Sequence, residues 1–402
     1  MALVRPFRAL RYDEAHAGPL GRLVAPPYDV IGPEQRAALM ARSAHNAVRL
    51  ELPEVAYDKV AGLIAQWTAE GVLRRAEEPE LIAWTQTFAA EGRTYERRTL
   101  LAAVGLEPYA SRVVRPHERT HAGPREDRLR LLRATRTQLS PVFGLYPDAE
   151  GAAWRAAGVA GPPDAELTDD EGTVHRTWQL RDPGVHEAVG RALADRWILI
   201  ADGHHRYETA LAYRDEVRAA GGEAGPHDLV LMGLTALEDP GLVVLPTHRV
   251  LKRWPEGAAA HLEARGVAGL DELLAALAAA PPDRLAFGLV RPGWSALVVG
   301  PPRDDPSPAG RVESAMIERL VLIPSLGADQ VALAHEGVLE YTQDAEKAWD
   351  KVRTYRAEAA LLLRPARVEE VAAVAEAGET MPQKSTYFFP KLLTGVAFYP
   401  LA

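Results

Sequence analysis

The sequence of 402 residues contains no cysteine. This absence excludes disulfide bonds, iron–sulfur clusters, thiolate zinc sites and a cysteine nucleophile together. The chain also has no uninterrupted apolar run of about 18 residues, the length that indicates a membrane-spanning helix. Its first residues show no apolar core of signal-peptide length. We therefore expect a cytoplasmic protein without a membrane partner.

Basic residues are outnumbered by acidic ones, and the net charge is −9. Nucleic-acid binding proteins attract phosphates with clustered lysine and arginine, so this balance argues against a nucleic-acid partner. Only six of the 46 basic residues are lysines, and two of them, Lys384 and Lys391, fall in the last 19 residues. With 47% hydrophobic and 25% charged residues, the composition is that of a globular protein rather than a disordered one.

The length predicts two or three domains, and the pattern of elements predicts a mixed α/β (α+β) fold. We place the domains at 1–105, 106–250 and 251–402. The main predicted helices begin at Pro33 and cover 125–137, 204–219, 345–363 and 367–377. The predicted strands are 81–85 and 95–104 around the Glu91-Gly92 turn, 141–146, 173–180 and 197–201. Residues 147–172 are rich in glycine, proline, alanine and aspartate, and are expected to form a loop.

The strongest chemical pattern is Asp202-Gly203-His204-His205-Arg206, which follows the buried strand 197–201. A strand that breaks at glycine and starts a helix presents unpaired backbone N–H groups at the positive end of the helix dipole. Two histidines and an arginine in the first turn add donors suited to phosphate oxygens. Asp202 fits such a site if it caps the helix or binds a metal. The alternative is a structural N-cap with solvated histidines.

His117, Glu118 and His121 match the H-E-x-x-H pattern, in which two histidines bind zinc and the glutamate acts as a base. Pro116 before the pattern and Gly123-Pro124 after it leave little room for the long helix that the zinc motif needs. Three interpretations stay open: a zinc site, a catalytic Glu118 without zinc, and a surface cluster of ion pairs.

Two further stretches carry polar groups suited to a site. Thr247, His248 and Arg249 follow the predicted strand 242–245. Lys384, Ser385 and Thr386 precede an aromatic run that ends near Lys391, and a lysine with a hydroxyl can meet a phosphate. They do not form a P-loop, because the preceding glycine pattern is absent. The chain also lacks the glycine fingerprints of serine hydrolases and dinucleotide-binding folds.

Several segments together resemble a known prokaryotic family. They are VAPPYDVI (24–31), NAVRLELP (46–53), HERT (117–120), IADGHHRYETAL (200–211), PTHRV (246–250) and MPQKSTYFFPKLLTG (381–395). They resemble the domain-of-unknown-function family number one thousand and fifteen, whose members often carry a SpoOJ/ParA/ParB/RepB-like label. The resemblance spans essentially the whole chain.

The central part is similar in turn to the ParB/sulfiredoxin-like fold, which includes free-serine kinases. This resemblance implies that the central domain binds a nucleotide and that Asp202, His205 and Glu118 are catalytic. Gly203, His204, Arg206, Lys384, Ser385, Thr386 and Lys391 are the expected phosphate-binding residues. The expected substrate-site residues are Tyr28, Asp29, His117, Thr120, Thr247, His248 and Arg249.

The reaction that this resemblance implies is phosphoryl transfer to free L-serine or a similar small hydroxyl metabolite. The expected donor is ATP, ADP or pyrophosphate, with Mg²⁺ placed by Asp202. The chain lacks the cysteine of sulfiredoxin and shows no helix-turn-helix module of the ParB type, and both departures favour the kinase-like branch. The alternatives are a non-catalytic, ParB-like nucleotide-binding module with a regulatory role and a zinc hydrolase.

Overall fold

The computed structural model describes residues 1–118 and 122–401 of the chain. The described residues form two compact units. The first unit contains residues 1–116, residues 122–242 and the C-terminal segment from Pro390. The second unit contains His117, Glu118 and 243–389. Along the chain, the second unit is therefore largely an insertion into the first. The three-part division predicted from the sequence stays a prediction.

The strands are β1 (Val4–Arg5), β2 (Leu10–Tyr12), β3 (Leu73–Arg75), β4 (Leu81–Ala90), β5 (Arg93–Gly105), β6 (Val114–Arg115), β7 (Thr137–Gln138), β8 (Val142–Tyr146), β9 (Ala165–Thr168), β10 (Val174–Leu180), β11 (Ile198–Asp202), β12 (Leu229–Ala236), β13 (Val243–Leu245), β14 (His248–Leu251), β15 (Glu263–Gly266), β16 (Arg284–Arg291), β17 (Trp294–Pro302), β18 (Leu339–Thr342), β19 (Ala359–Leu362), β20 (Tyr387–Phe389) and β21 (Tyr399–Pro400).

The α-helices are α1 (Glu14–Ala17), α2 (Pro33–Arg42), α3 (Val48–Glu51), α4 (Tyr57–Ala69), α5 (Ala122–Thr135), α6 (Ala152–Ala157), α7 (Pro183–Leu193), α8 (His204–Ala219), α9 (Leu270–Ala278), α10 (Pro308–Arg311), α11 (Glu313–Ile317), α12 (Ile323–Leu326), α13 (Gln330–His335), α14 (Ala345–Arg353) and α15 (Val368–Ala377). Short 3₁₀ turns cover Leu20–Arg22, Tyr28–Val30, Tyr109–Ser111 and Pro226–Asp228, and a π-helical turn covers Glu318–Leu322.

The first unit is built on a mixed sheet with the order β6-β11-β8-β12-β5-β4-β10-β9, and β1 lies beside β5. The pairs β6–β11 and β8–β12 are parallel, and the other pairs are antiparallel. Successive residues of β5 point to opposite faces of the sheet. Leu100 and Ala102 therefore join one apolar core, while Leu101 and Ala103 join another. The sheet is covered on both faces.

The buried strand β11 positions the most informative sequence pattern. Ile198, Leu199 and Ile200 are each no more than 1% exposed, as expected for a strand with both faces covered. The strand ends at Asp202, and α8 begins two residues later at His204. Tyr207 and Ala210 of α8 pack into the same core as Ile198 and Ile200. This packing fixes the first turn of α8 against the end of the strand.

The second unit contains an antiparallel sheet with the order β15-β17-β16-β19-β14-β18. Alternate residues of β16 again separate two cores, with Phe287 and Leu289 in one and Ala286 and Val290 in the other. A separate two-stranded ribbon pairs β13 with β20. Glu118 forms a parallel β-bridge with Met381.

The mixed α/β class predicted from the sequence is confirmed, and so are the hairpin β4–β5 and the helix over 204–219. Two local predictions are wrong. The expected loop over 147–172 contains α6 and β9, because Gly151 and Gly158 bracket a short helix that buries Ala153 and Ala157. The expected helix over 345–363 ends at Arg353, and Ala359–Leu362 becomes the buried strand β19.

Candidate functional site

The turn between β11 and α8 requires glycine at position 203. Gly203 adopts the left-handed conformation with φ of +87°, which side chains with a Cβ rarely adopt. A Cβ at this position would also lie 2.9 Å from the guanidinium carbon of Arg206. The absence of a side chain therefore serves both the backbone turn and the return of Arg206 over it. The N-cap residue of α8 is Gly203, which has no side chain to accept from the first N–H groups of the helix.

Three charged side chains meet at this turn. Arg206 Nη2 donates to Asp202 Oδ2 at 2.5 Å, and Lys391 Nζ donates to Asp202 Oδ1 at 2.7 Å. The side chains of Asp202, Arg206 and Lys391 are 15%, 9% and 12% exposed. The carboxylate thus lies between two cations in a largely desolvated place, where ionic hydrogen bonds are stronger than in water. Four of the predicted site residues meet here: Asp202, Gly203, Arg206 and Lys391.

Arg206 is held from several sides. Its Nη1 donates to the carbonyl of Pro141, which precedes β8. Burial alone would lower the pKa of Arg206, but the nearby negative groups of Asp202 and Asp29, together with Tyr28 and Glu51, raise it on balance. Tyr28 and Asp29, both predicted as substrate-site residues, therefore lie in the electrostatic environment of Arg206. Burial raises the pKa of Tyr28 to about 12, so its hydroxyl remains protonated at neutral pH.

A buried acid–base cluster that the sequence interpretation missed adjoins Arg206. Glu51 is 3% exposed, and its Oε1 accepts from Ser140 at 3.1 Å. Arg128 Nη1 donates to the Glu51 carbonyl at 2.7 Å, and its guanidinium lies 4.5 Å from the Tyr28 ring centroid. With apolar residues of α5 and α8, Glu51, Arg128, Ser140 and Arg206 line a pocket of about 50 Å³. Glu51 stands in one of the segments that carry the family resemblance, which is the signal that could have found it.

The position of Lys391 depends on two further residues that sequence reasoning missed. Gln86 Nε2 donates to the Lys391 carbonyl at 3.1 Å. Arg97 is fully buried; its Nη2 donates to the Pro390 carbonyl and its Nε to Gln86 Oε1. Burial lowers the pKa of Arg97 to about 9, against the opposing effect of Asp239 and Asp202. Only tertiary structure shows this role, because Gln86 and Arg97 lie about 300 residues from Lys391 in the chain.

The two histidines of the pattern occupy the first turn of α8. His204 is buried and His205 is half-buried, and both belong to the first unit with Asp202. Their predicted contacts with phosphate stay predictions.

His117, Glu118 and Thr386 meet in the second unit. His117 is fully buried, its Nε2 lies 2.9 Å from Thr386 Oγ1, and its ring packs edge-on against Phe388. Thr386 Oγ1 also lies 3.5 Å from Glu118 Oε1. His117 and Glu118 are not part of a helix. Thr120 and His121 lie outside the described residues, so the zinc interpretation of H-E-x-x-H stays untested.

Four other predicted residues, His248, Arg249, Lys384 and Ser385, have hydrogen-bond partners in the second unit. His248 Nδ1 accepts from the Leu363 N–H at 3.1 Å, and burial lowers the pKa of His248 to about 4. Lys384 is exposed, and its carbonyl accepts from Arg249 at 3.3 Å. Ser385 Oγ lies 2.6 Å from Ser314 Oγ. Thr247 and Arg249 are both buried.

Comparison with family models identifies the relationship that the sequence segments suggest. The model described as "Protein of unknown function (DUF1015)" matches residues 4–320. The chain belongs to the DUF1015 family. The ParB-related label and the sulfiredoxin-like fold stay predictions for this DUF1015 protein. A comparison with curated proteins found no match.

Three solved structures illustrate what the DUF1015 chain resembles. A conserved hypothetical protein from Pyrococcus furiosus is 13% identical with a TM-score of 0.38, over 73% of this chain and 93% of that chain. A free serine kinase in complex with AMP is 13% identical with a TM-score of 0.39, over 72% and 86%. SbnI with a C-terminal truncation, from Staphylococcus aureus, is 11% identical with a TM-score of 0.37, over 73% and 85%. Family membership rests on the family model that matches residues 4–320.

Both carboxylate oxygens of Asp202 accept from cations, Oδ2 from Arg206 and Oδ1 from Lys391. Within 1–118 and 122–401, no group of three or more acidic or histidine side chains is placed to hold a metal. The predicted Mg²⁺ role of Asp202 stays a prediction. In the same described ranges, no helix has the length and apolar character needed to span a bilayer.

Proposed function

We propose that this DUF1015 protein is a phosphotransferase with a small-molecule acceptor. It moves a phosphoryl group from a nucleotide or pyrophosphate to the hydroxyl of free L-serine or a similar metabolite. The observation that carries the proposal is the turn from β11 into α8 at Gly203, where Lys391 and Arg206 flank Asp202 at 2.7 and 2.5 Å. The resemblance of the Asp202–Arg206 pattern to the box of free-serine kinases supports the same function.

In this mechanism the donor phosphates bind the first N–H groups of α8. The helix dipole, Lys391 and Arg206 stabilise their negative charge, which is the main requirement of phosphoryl transfer. The acceptor oxygen forms a bond to the terminal phosphorus while the bridging oxygen leaves with the rest of the donor. His205 contacts the transferred group. The hydroxyl proton goes to a carboxylate base, a role that the sequence resemblance gives to Glu118.

Asp202 has a positioning role in this proposal. It holds the ammonium of Lys391 and the guanidinium of Arg206 beside the helix N-terminus before any donor arrives. Such preorganised charges need no rearrangement when charge develops in the transition state. Gly203 leaves the space over the turn to the Arg206 guanidinium, because it adds no side chain.

The test is a phosphorus NMR assay of the full chain with Mg²⁺ and L-serine, and with ATP, ADP or pyrophosphate in separate tubes. We expect a phosphoserine signal with at least one donor. Asp202→Asn and His205→Ala should each lower the rate by about 100-fold or more, the size typical of losing one electrostatic or acid–base group. Asp215→Asn is the matched control, because Asp215 lies in the same helix with its side chain 65% exposed. Equal rates for Asp202→Asn and Asp215→Asn would contradict the proposed site.

Nucleotide binding without turnover is the second candidate function. The two cations on Asp202 favour it, since they can attract the phosphates of a nucleotide without any catalytic step. Calorimetric titration with ADP separates the two. Saturable ADP binding without phosphoserine, and with no other phosphorylated product, would favour the binding module. Glu118→Gln should abolish transfer but leave ADP affinity unchanged if the enzyme proposal is right.

A further inference from the structure

The second unit contains a polar cavity that no predicted function uses as a whole. Its volume is about 90 Å³. Four arginines and two glutamates line it, so its walls carry a net charge of +2 when all six groups are ionised. The residues on which the inference rests are Thr247, Arg249, Glu313, Arg364, Arg367 and Ser385.

Arg249 is a buried cation whose hydrogen-bond partners are all neutral. The residue is 1% exposed, and its guanidinium donates to the side chain of Gln330 and to two backbone carbonyls. No carboxylate in the described part of the chain forms an ion pair with it. Burial accordingly lowers the pKa of Arg249 to about 10. Glu118, Glu318 and Glu313 oppose this shift. Burial of a guanidinium is costly, and an anion in the adjoining cavity would offset that cost.

Two other buried polar atoms of the cavity walls lack hydrogen-bond partners among the described residues. They are Thr247 Oγ1 and Glu313 Oε2, on residues that are 2% and 6% exposed. Arg364 donates to the other carboxylate oxygen of Glu313, Oε1. Burial raises the pKa of Glu313, although Arg364 and Arg303 oppose the shift. Both atoms therefore have hydrogen-bonding capacity left for a ligand.

We propose that this cavity is a second ligand site, which binds a single phosphate group. Arg249, Arg367 and the Thr247 hydroxyl are the donors, and this site is separate in its residues from the turn at Gly203. The cavity volume of about 90 Å³ leaves room for one phosphate group. The inference does not depend on the phosphotransferase proposal.

Calorimetric titration of the full chain with inorganic phosphate tests this site. Arg367→Gln should weaken phosphate binding about tenfold, since hydrogen bonds to charged groups contribute about 1.5–3 kcal/mol. Arg353→Gln is the matched control: like Arg367, Arg353 is exposed and pairs with a carboxylate three residues away. The control variant should bind phosphate like the unmodified protein.

Thr247→Val gives an independent check that a folding defect cannot imitate. Because Thr247 Oγ1 has no partner, its replacement by an isosteric methyl group should leave the thermal midpoint without phosphate unchanged or raised. Phosphate affinity should fall about fivefold, the value of one ordinary hydrogen bond. The proposal is overturned if the unmodified chain shows no saturable phosphate binding, or if Arg367→Gln and Thr247→Val bind as tightly as Arg353→Gln. Failure of the phosphotransferase proposal would appear separately, as missing turnover.

Discussion

At the scale of single residues, Gly203 combines two constraints that can be separated by experiment. Gly203→Ala should lower the free energy of unfolding by about 1–2 kcal/mol for the left-handed backbone, and further for the contact with Arg206 at 2.9 Å. Gly221→Ala is the control, because Gly221 has φ of +85° and nothing within 4 Å of its missing Cβ. Urea unfolding measures both variants. Equal losses would show that the Arg206 contact contributes nothing.

Glu51 gives a prediction of pH dependence. Its burial raises its pKa, although Arg128 and Arg206 oppose the shift. The folded state therefore binds the proton more tightly than the unfolded state, and this group makes the protein less stable as the pH rises above about 4.3, the ordinary pKa of glutamate. Glu51→Gln should remove this loss. The free energy of unfolding of the variant should rise relative to that of the unmodified protein. The expected rise is about 1.4 kcal/mol for each pH unit between the pKa of Glu51 in the unfolded state and its pKa in the folded state.

Urea unfolding at several pH values measures the effect of Glu51→Gln. Glu54→Gln is the control, since Glu54 is exposed and only three residues away. A constant difference between Glu51→Gln and the unmodified protein across the pH series would contradict the assigned role of burial.

The residues of the site differ in how far sequence could predict them. Asp202, Gly203 and Arg206 are neighbours in the chain, so a local pattern was enough to predict that they act together. Glu51 and Arg128 meet Arg206 only through the packing of α3, α5 and α8. Their positions in the chain do not indicate this proximity, because contacts between distant segments produce no periodic pattern in a sequence.

At the scale of elements, the strand β4 holds the C-terminal segment through Gln86. Gln86 is fully buried and joins the Lys391 carbonyl to the Arg97 guanidinium. Gln86→Leu should lower the free energy of unfolding by about 1–3 kcal/mol, because it leaves buried polar groups without a partner. Amide exchange in 390–393 should also become faster. Gln66→Leu, at an exposed position of α4, should change neither, and unchanged exchange in Gln86→Leu would show that the segment is held elsewhere.

Elements were predictable where local chemistry marks their ends. The helix α8 follows a glycine turn, and α2 begins at Pro33 after Gly32, so both starts are visible in the sequence. The strand β19 was not predictable, since Ala359–Leu362 is a short apolar run that suits a helix equally well. Its pairing with β14 and β16 decides the outcome, and that pairing depends on residues about 70–110 positions earlier in the chain.

At the scale of the whole molecule, the net charge of −9 coexists with local clusters of cations. In the first unit, Arg206 and Lys391 flank Asp202, and in the second unit four arginines line one cavity. A negative surface repels nucleic acid at long range, whereas short-range donors inside a site still capture a small anion. Both proposals therefore concern small phosphorylated ligands.

Hydrogen exchange with mass spectrometry can examine both proposed sites in one molecule. A ligand at 100 times its dissociation constant stabilises the bound form by about 2.7 kcal/mol, which slows exchange through ligand-releasing openings about 100-fold. ADP should slow the amides of 203–207 in the first unit, where the N-terminus of α8 would hold its phosphates. Inorganic phosphate should slow the amides of 363–370 in the second unit, and Arg367→Gln should reduce this effect while Arg353→Gln preserves it. If ADP slowed amide exchange equally in both units, this result would contradict the assignment of nucleotide binding to the turn at Gly203.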